Sequence, residues 1–316
     1  MQKYYIVEQM LSIATTPTQE LNSTFLSDKG IRVLVKRDDQ NHPLVMGNKW
    51  RKLKYNLVAA KTQQKEILVT YGGAYSNHIL ATAVAANRCG LKSVGIIRGD
   101  ELTPDSNPTL QQASAENMRL VFVNRDLFNL YKTTLTVPDY LQKEVEESGF
   151  LLPEGGTNQL AIKGCEEIIS EIEDSFDICC TAVGTGGTFL GLLNSLAPDK
   201  KLYGFSSLKG NWVGQEIKDL KQVYDISGQN YYVFDDQMFG GYGRFDQNLI
   251  QFILEFRQEY GILLDPIYTG KMFFRVWDMV KNDQIARGTT LLLLHTGGLQ
   301  GIAGFNARFG QLLPES

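Results

Sequence analysis

The sequence predicts an α/β protein whose strands form mostly parallel sheets. Short segments rich in β-branched residues or leucine recur along the chain, and they lack the alternation of apolar and polar residues that marks a half-exposed strand. Segments with helical periodicity separate them, and strands spaced by helices build parallel βαβ units. The predicted strands cover residues 31–36, 66–70, 92–97, 119–123, 177–183, 201–205 and 290–294, and the predicted helices include residues 49–63, 76–88, 160–172, 246–259 and 270–281.

Length, charge and cysteine usage narrow the classes of function. A chain of 316 residues accommodates one large domain or two ordinary ones. The 31 basic residues do not outnumber the 35 acidic ones, so the composition gives no support for a nucleic-acid partner. Apolar runs are too short to span a bilayer and no signal peptide is evident, so we expect a cytoplasmic protein. The four cysteines form no CxxC motif and the three histidines are scattered, which predicts neither a disulfide framework nor a metal site.

A glycine-rich segment, Gly184-Thr185-Gly186-Gly187-Thr188, follows a predicted strand and opens a helix. Glycine lets the backbone approach an anion closely, and a helix N-terminus presents unpaired N–H groups at the positive end of its dipole. The segment fits neither the GxGxxG spacing of dinucleotide-binding folds nor the GxxxxGK[ST] spacing of P-loops. It therefore predicts a site for a monophosphate, with a ligand-free turn between strand and helix as the alternative.

Lys49 stands in the segment GNKWRK at the start of a predicted helix. The positive end of the helix dipole and partial burial both favour the neutral form of an amine, and a neutral amine is what a Schiff base requires. The alternative is a basic, solvated helix start. That is our interpretation of the neighbouring Arg51, Lys52 and Lys54.

A third segment, YGGAYSNH at residues 71–78, again runs from a strand through a glycine turn to a helix. Ser76 and Asn77 fall at the helix start, where each is a suitable N-cap. Either side chain is equally suited to hold a carboxylate or a ring hydroxyl, so the segment alone leaves both interpretations open.

Together these segments resemble a family of enzymes that use pyridoxal phosphate. The pattern looks like the tryptophan synthase β-type, fold type II, and more narrowly like the 1-aminocyclopropane-1-carboxylate (ACC) deaminases and D-cysteine desulfhydrases. The segments that carry the resemblance are KRDD at 36–39, GNKWRKL at 47–53, GGAYSN at 72–77, GTGGT at 184–188, DPIYTGK at 265–271 and HTGG at 295–298. They extend over nearly the whole chain.

The resemblance implies a fold and an assembly. We expect two α/β domains, each with an open twisted sheet flanked by helices, and pyridoxal phosphate in the cleft between them, since ligands in such folds bind at the carboxyl ends of the strands. Residues 50–155 should form the smaller domain, and residues 1–49 with 156–316 the larger, cofactor-binding domain. The family also implies a homodimer that acts on a small amino acid.

The resemblance further implies roles for the matching side chains. Lys49 is expected to hold the cofactor as a Schiff base and to act as the base at Cα. Asn77 is expected to contact the 3-hydroxyl of the pyridine ring, and Ser76 the substrate carboxylate. The loop formed by Gly184, Thr185, Gly186, Gly187 and Thr188 is expected to bind the phosphate.

Two tyrosines and two threonines bear on the reaction. The resemblance makes Tyr268 and Tyr242 catalytic residues, with simple packing as the alternative. It implies Thr269 and Thr296 near the pyridine nitrogen, where ACC deaminases carry glutamate and leucine and the desulfhydrase-like branch carries threonine. A neutral hydroxyl makes the ring a weaker electron sink than a carboxylate does, and this suffices when a thiolate leaves from Cβ. We expect that Asp265, the acid nearest in sequence, does not replace the missing carboxylate.

The sequence therefore predicts a lyase that performs β-elimination on D-cysteine and yields pyruvate, ammonia and sulfide. The first alternative is an ACC deaminase, and the second is a protein that binds a phosphate ligand without catalysis. Two departures from the family pattern leave another D-amino acid or a β-substituted alanine open as substrate. These are Leu80, where the family carries arginine, and Trp50, where leucine or threonine is common.

Overall fold

A computed structural model describes residues 2–236 and 238–315, and within them it shows ten strands arranged in two sheets. The strands are β1 (Thr18–Leu21), β2 (Arg32–Lys36), β3 (Ile67–Gly73), β4 (Lys92–Arg98), β5 (Met118–Val123), β6 (Gly149–Leu151), β7 (Ile178–Val183), β8 (Lys201–Ser206), β9 (Tyr231–Phe234) and β10 (Thr290–Leu294). The α-helices are α1 (Gln2–Leu11), α2 (Thr24–Lys29), α3 (Asn48–Thr62), α4 (Asn77–Arg88), α5 (Pro108–Ala115), α6 (Arg125–Thr134), α7 (Asp139–Ser148), α8 (Gln159–Ser170), α9 (Gly187–Ser195), α10 (Val213–Val223), α11 (Gln247–Tyr260), α12 (Thr269–Lys281) and α13 (Gly301–Phe309).

The two sheets confirm the predicted class, an α/β fold with mostly parallel sheets flanked by helices. The larger sheet has the order β1-β2-β10-β7-β8-β9, and all its neighbouring strands are parallel except β1, which runs antiparallel along the edge. The smaller sheet has the order β5-β4-β3-β6 and is parallel throughout. All strands of the smaller sheet come from residues 67–151, and the larger sheet takes its strands from both sides of that stretch.

Strand β10 shows why the central strands lack apolar–polar alternation. Leu291 and Leu293 pack with helices α11 and α12 on one face of the larger sheet, whereas Leu292 and Leu294 pack with α8 and α9 on the other. Because both faces are covered by helices, every one of these four positions is apolar and at most 1% exposed.

The seven predicted strands are all present, and three further strands were missed. Strand β1 is a polar edge strand, β6 has only three residues, and β9 is a four-residue edge strand, so each lacks the long apolar run on which the prediction depended. The four cysteines are buried and free, as the sequence indicated. Over the described ranges, the helices are all too short or too polar to cross a membrane.

A short turn brings the two sheets together at the carboxyl ends of their strands. A Cβ on Gly155 would lie 2.6 Å from the Thr185 side chain, and a Cβ on Gly156 would lie 2.7 Å from the ring of His78. Thr185 follows β7 in the larger sheet, whereas His78 lies in the first turn of α4, which follows β3 in the smaller sheet. The turn is therefore packed between the two glycine-rich segments that the sequence singled out.

Candidate active site

Lys49 lies in the first turn of α3, and the backbone before it fits closely against the larger sheet. Gly47 has a φ of +62°, and a Cβ there would stand 2.0 Å from the carbonyl oxygen of Thr296, so the position requires glycine. The backbone N–H of Asn48 donates to that carbonyl at 3.3 Å. The Lys49 amine donates to Oδ1 of Asn48 at 2.9 Å, and Nδ2 of Asn48 donates to Oγ1 of Thr188 at 2.9 Å. Asn48 therefore joins the Lys49 amine to the glycine loop.

The Lys49 amine is present in both its protonated and its unprotonated form near physiological pH. Although the residue as a whole is partly accessible, burial of its amine, assisted by the charge of Lys52, lowers the pKa of Lys49 to about 7. Its hydrogen-bond partner Asn48 offers only a neutral amide oxygen. A large fraction of the amine is therefore unprotonated and nucleophilic near pH 7.

The glycine loop at residues 184–188 forms a cradle at the start of α9. Gly186 has a φ of +78° and turns the chain into the helix, whose first N–H groups have no partner within it. A Cβ on Gly187 would lie 2.8 Å from Oγ1 of Thr157 and 3.1 Å from the amine of Lys52. Unpaired N–H groups and a lysine amine thus meet at one point, as an anion site requires.

The interpretation of Arg51, Lys52 and Lys54 as solvated residues is wrong. Arg51 and Lys52 are 5% and 4% exposed, and the amine of Lys54 lies within 2.9 Å of carboxylates of Glu8 and Glu167. These side chains are buried because α3 packs its first turns against α8 and α9 rather than against solvent.

Lys52 is a candidate anion-binding residue that the sequence analysis missed. Its amine donates to the carbonyl oxygen of Gly155 at 2.9 Å and to the hydroxyls of Thr157 and Thr185 at 3.2 Å each. All three partners are neutral, and burial lowers the pKa of Lys52 to about 8. A bound anion would supply the missing counter-charge. The spacing of three residues from Lys49, which puts both amines on one face of a helix, is the signal that identifies it.

Ser76 and Asn77 begin α4 with different tasks. Ser76 is the N-cap, and its Oγ accepts a hydrogen bond from the N–H of Ile79 at 3.4 Å. Oδ1 of Asn77 is buried without a partner among the described residues, a state that costs about 1–3 kcal/mol unless a ligand completes it. Gly301 leaves room beside it, since a Cβ there would stand 3.1 Å from Oδ1.

The two departures from the family pattern are core positions. Leu80 and Trp50 are 1% and 2% exposed and belong to the same apolar cluster beneath the smaller sheet. His78, in the same helix as Leu80, is buried, with Nε2 2.9 Å from the hydroxyl of Thr70. Burial, with the charges of Lys49 and Lys52, holds the pKa of His78 well below its usual value, so the imidazole is neutral.

Tyr268 and Tyr242 are brought together. Their rings meet edge to face with centroids 5.9 Å apart, and a Cβ on Gly184 would lie 3.4 Å from the Tyr268 ring. Burial raises the pKa of Tyr268 well above its usual value, with Tyr242 and Asp265 contributing, so its hydroxyl keeps its proton at neutral pH. Two phenol groups therefore stand beside the glycine loop as possible proton donors.

Thr269 is engaged by a carboxylate that the sequence argument set aside. Its hydroxyl donates to Oδ2 of Asp265 at 2.6 Å and accepts from the Asp265 N–H at 3.0 Å. Asp265 also accepts from the N–H groups of Ile267 and Tyr268 at 2.9 and 2.8 Å. The Thr296 hydroxyl, by contrast, makes no hydrogen bond with any residue that the structure describes, and Thr296 is 7% exposed. The two threonines therefore differ. The Thr269 hydroxyl donates its proton to the carboxylate of Asp265, whereas the Thr296 hydroxyl is free to donate to a ligand.

A cleft opens beside Asn77 and Tyr268, and it is accessible from solvent. Its lining includes Asn77 from the helix that follows β3, together with Tyr242, Asp265, Tyr268 and Gly298 from the larger sheet's side. Segments that follow strands of both sheets therefore line the cleft. Lys49 and residues 184–188 are not among the described residues that line it, but Gly184 approaches the lining residue Tyr268.

A family model described as "pyridoxal-phosphate dependent enzyme" matches residues 10–297. The chain belongs to this family. It is 32% identical to a putative ACC deaminase of Thermotoga maritima, over 92% of this chain and 96% of that one, and 29% identical to a D-cysteine desulfhydrase of Salmonella typhi, over 93% and 94%. A solved structure described as an ACC deaminase homologue has a TM-score of 0.79 and 26% identity, covering 99% of this chain and 100% of that one. The resemblance seen in the sequence is confirmed.

The site fits the cofactor of this family in its charges and its hydrogen-bonding groups. Lys49 supplies a near-neutral amine, Lys52 a buried ammonium without a counter-charge at the glycine loop, and Asn77 an unpartnered polar group. An aldehyde, a phosphate and a ring hydroxyl are the three groups of pyridoxal phosphate that such residues can engage. Because the family consists of enzymes, the alternative of a non-catalytic phosphate-binding protein is set aside.

Covalent attachment of the cofactor is expected to depend on pH through Lys49. A protonated amine cannot attack an aldehyde, so the rate should rise as pH passes the lowered pKa of about 7 and level off above it. Stopped-flow absorbance after mixing apoprotein with pyridoxal phosphate measures this profile. Lys52→Met, which removes a neighbouring positive charge, should move the midpoint upward. A rate that still climbs about tenfold per pH unit up to about pH 9 would contradict the lowered pKa.

Proposed function

We propose that the protein is a pyridoxal-phosphate dependent lyase that performs β-elimination on a small D-amino acid. Its most suitable substrate is D-cysteine, which with one water yields pyruvate, ammonia and hydrogen sulfide. The observation that carries the proposal is the pair Thr269 and Thr296, which are 0% and 7% exposed and place neutral hydroxyls where ACC deaminases carry glutamate and leucine. The name of the Salmonella typhi relative supports the same activity.

In this proposal the residues of the site divide the binding of the cofactor and the proton transfer among them. Lys49 holds the cofactor and takes the proton from Cα, for which its lowered pKa is suited. Lys52 and the glycine loop at residues 184–188 bind the phosphate. Asn77 contacts the ring hydroxyl through its unpartnered side chain. Pyridoxal phosphate, when bound, supplies the electron sink that stabilises the negative charge developing at Cα.

The substrate carboxylate is held at the start of α4. Ser76 caps this helix, and its long contact of 3.4 Å to the Ile79 N–H leaves the hydroxyl free to turn toward an anion. The first N–H groups of the helix and its dipole add to the attraction. Tyr268 and Tyr242 stand across the cleft with protons on their hydroxyls and donate to the departing sulfur. The sulfur then leaves Cβ as hydrogen sulfide, without a full negative charge developing on the sulfur.

ACC deamination remains the second candidate because of Asp265. Its carboxylate lies 2.6 Å from the Thr269 hydroxyl, so a negative charge stands one hydroxyl away from the position that carries glutamate in ACC deaminases. This contact strengthens the Thr269 hydroxyl as an acceptor, which would favour a protonated pyridine nitrogen, and so a stronger electron sink, when the cofactor is bound. The putative ACC deaminase of Thermotoga maritima supports this candidate by name.

A substrate panel tests the two candidates. We expect pyruvate and sulfide from D-cysteine, with kcat/KM at least about 100-fold above that for ACC, which corresponds to roughly 2.7 kcal/mol of transition-state discrimination. Coupled reduction of the keto acid measures both reactions, and D-serine and L-cysteine test the leaving group and the stereochemistry. Thr269→Glu with Thr296→Leu should shift the preference toward ACC. Turnover of ACC by the unaltered protein at or above that of D-cysteine would make the deaminase the correct assignment.

The architecture around the site supports a further part of the proposal. We infer a smaller domain of residues 50–155, a larger one of residues 1–49 and 156–316, and the cofactor in the cleft between them. The separate sheets, one drawn from residues 67–151 and one from the remainder, support this division. We also propose a cytoplasmic homodimer, and light scattering of the purified protein against a chain mass of 35.4 kDa measures the assembly.

A further inference from the structure

Tyr242 enters the cleft on a tight turn of its own. The carbonyl oxygen of Gly241 accepts a hydrogen bond from the N–H of Arg244 at 3.2 Å, which closes a four-residue β-turn with Tyr242 at its second position. Gly243, at the third position, has a φ of +67°, the left-handed conformation that a type II turn requires there. Tyr242 is 49% exposed as a residue, and its ring packs edge to face against Tyr268.

One buried charge holds this turn to the body of the protein. Lys271, in the first turn of α12 and only 4% exposed, donates from its amine to the same Gly241 carbonyl at 2.7 Å. Burial lowers the pKa of Lys271 to about 8, and the negative charge of Asp265 opposes this shift. Removing the amine would leave the Gly241 carbonyl with the Arg244 N–H alone.

The position of Gly241 leaves the turn little other freedom. A Cβ on Gly241 would lie 2.7 to 2.9 Å from the backbone and Cβ of Lys209, so the turn is pressed between that segment and the Lys271 amine. Helix α12 begins directly after Tyr268, the partner of Tyr242 in the edge-to-face contact. A single helix therefore carries one tyrosine at its start and fixes the other through Lys271.

We propose that Lys271 is a positioning residue for the reaction, which holds the Gly241 carbonyl and thereby keeps Tyr242 against Tyr268 over the cleft. This inference rests on the proposed function, in which both tyrosines act on the leaving group. Lys271 is the last residue of the DPIYTGK segment at 265–271. It acts through Tyr242.

Three variants of the holoenzyme test the role of Lys271 in catalysis. Lys271→Met should lower kcat for D-cysteine at least about tenfold while KM and cofactor content change less than about twofold. Lys271→Gln, whose amide can still donate to the Gly241 carbonyl, should keep kcat within about threefold. Lys221 offers a matched control, since it is also a buried lysine whose amine donates to a glycine carbonyl, that of Gly228, but it lies away from the cleft. Lys221→Met should leave kcat unchanged.

A double-mutant cycle shows whether Lys271 acts through Tyr242. In a Tyr242→Phe background, Lys271→Met should reduce kcat by less than about twofold further, because the residue it positions has already lost its hydroxyl. Full additivity of the two losses, or a Lys271→Met enzyme with the unaltered kcat, would overturn the inference.

Proteolysis separates failure of this inference from failure of the proposed function. Chymotrypsin cleavage after Tyr242 and trypsin cleavage after Arg244 report how firmly the turn is held. In Lys271→Met holoenzyme we expect both cleavages to be at least about tenfold faster, with no change in Lys271→Gln or Lys221→Met. Faster cleavage in a protein that turns over no D-cysteine would support the anchoring and refute the substrate assignment. Unchanged cleavage would refute the anchoring, whatever the substrate.

Discussion

Replacing Lys49 with alanine is expected to abolish turnover and the covalent attachment of pyridoxal phosphate while leaving the fold intact. The amine of Lys49 has a pKa lowered to about 7 and makes one hydrogen bond, to Asn48, so its loss removes the nucleophile without breaking a buried ion pair. We expect kcat to fall at least about a thousandfold, as for other enzymes that lose their covalent or general-base group. Absorbance at about 410–430 nm, the usual range of a pyridoxal Schiff base, measures the attachment.

Lys54→Ala is the matched control for this experiment because it removes another lysine from the same helix. Lys54 pairs with Glu8 and Glu167 outside the cleft, so its loss should leave both the absorbance band and kcat within about threefold of the unaltered enzyme. A Lys49→Ala protein that keeps the band and its turnover would place the cofactor on a different lysine.

Replacing Arg51 with methionine is expected to destabilise the protein by about 3–5 kcal/mol, because it breaks a buried network of charges. The guanidinium of Arg51 donates twice to the carboxylate of Asp38, at 3.0 Å each, and also to both oxygens of Glu171. Asp38 is fully buried, and the amine of Lys36 is 3.9 Å from its carboxylate. Without Arg51 the Asp38 charge keeps only that distant amine and the hydroxyl of Thr16. Chemical denaturation of the apoprotein measures the loss.

Arg32→Met provides the comparison for Arg51→Met. Arg32 also bridges two carboxylates, of Glu20 and Asp174, but its side chain is 39% exposed. Its loss should therefore change the free energy of unfolding by less than about 1 kcal/mol. If Arg51→Met lowered the free energy of unfolding no more than Arg32→Met does, the buried network would not stabilise the packing of α3, the helix that carries Lys49.

The strands and the glycine segments could be predicted because their signals are local. A run such as LLLL at 291–294 must be buried on both faces wherever it lies, and a glycine loop between strand and helix exposes N–H groups in any fold. The same reasoning selected Lys49, Asn77 and the loop at 184–188 as candidate site residues, and of these Asn77 lines the cleft. Strand β9 was lost because four residues at a sheet edge carry too short a pattern.

Contacts between distant segments could not be predicted in this way. Lys52 is buried by partners more than a hundred residues further along the chain, so its neighbours in the sequence suggested a solvated helix start. The contact between Asp265 and Thr269 was not foreseen for a different reason, although the predicted turn after Asp265 is present. That turn directs its carboxylate back onto the N–H groups of residues 267–269 and onto the Thr269 hydroxyl. The buried network around Arg51 also depends on a distant segment, because Glu171 lies 120 residues further along the chain.

The central claim is that Lys49 carries the cofactor, and borohydride reduction followed by peptide mapping tests it most directly. Reduction of the holoenzyme fixes the cofactor to its lysine, and proteolysis with mass spectrometry then identifies the modified residue. Lys52 and Lys54 lie on the same helix within five residues, so the experiment discriminates between near neighbours. We predict that the pyridoxyl group is found on Lys49 alone. Label on Lys52 or Lys54, with Lys49 unmodified, would contradict the account.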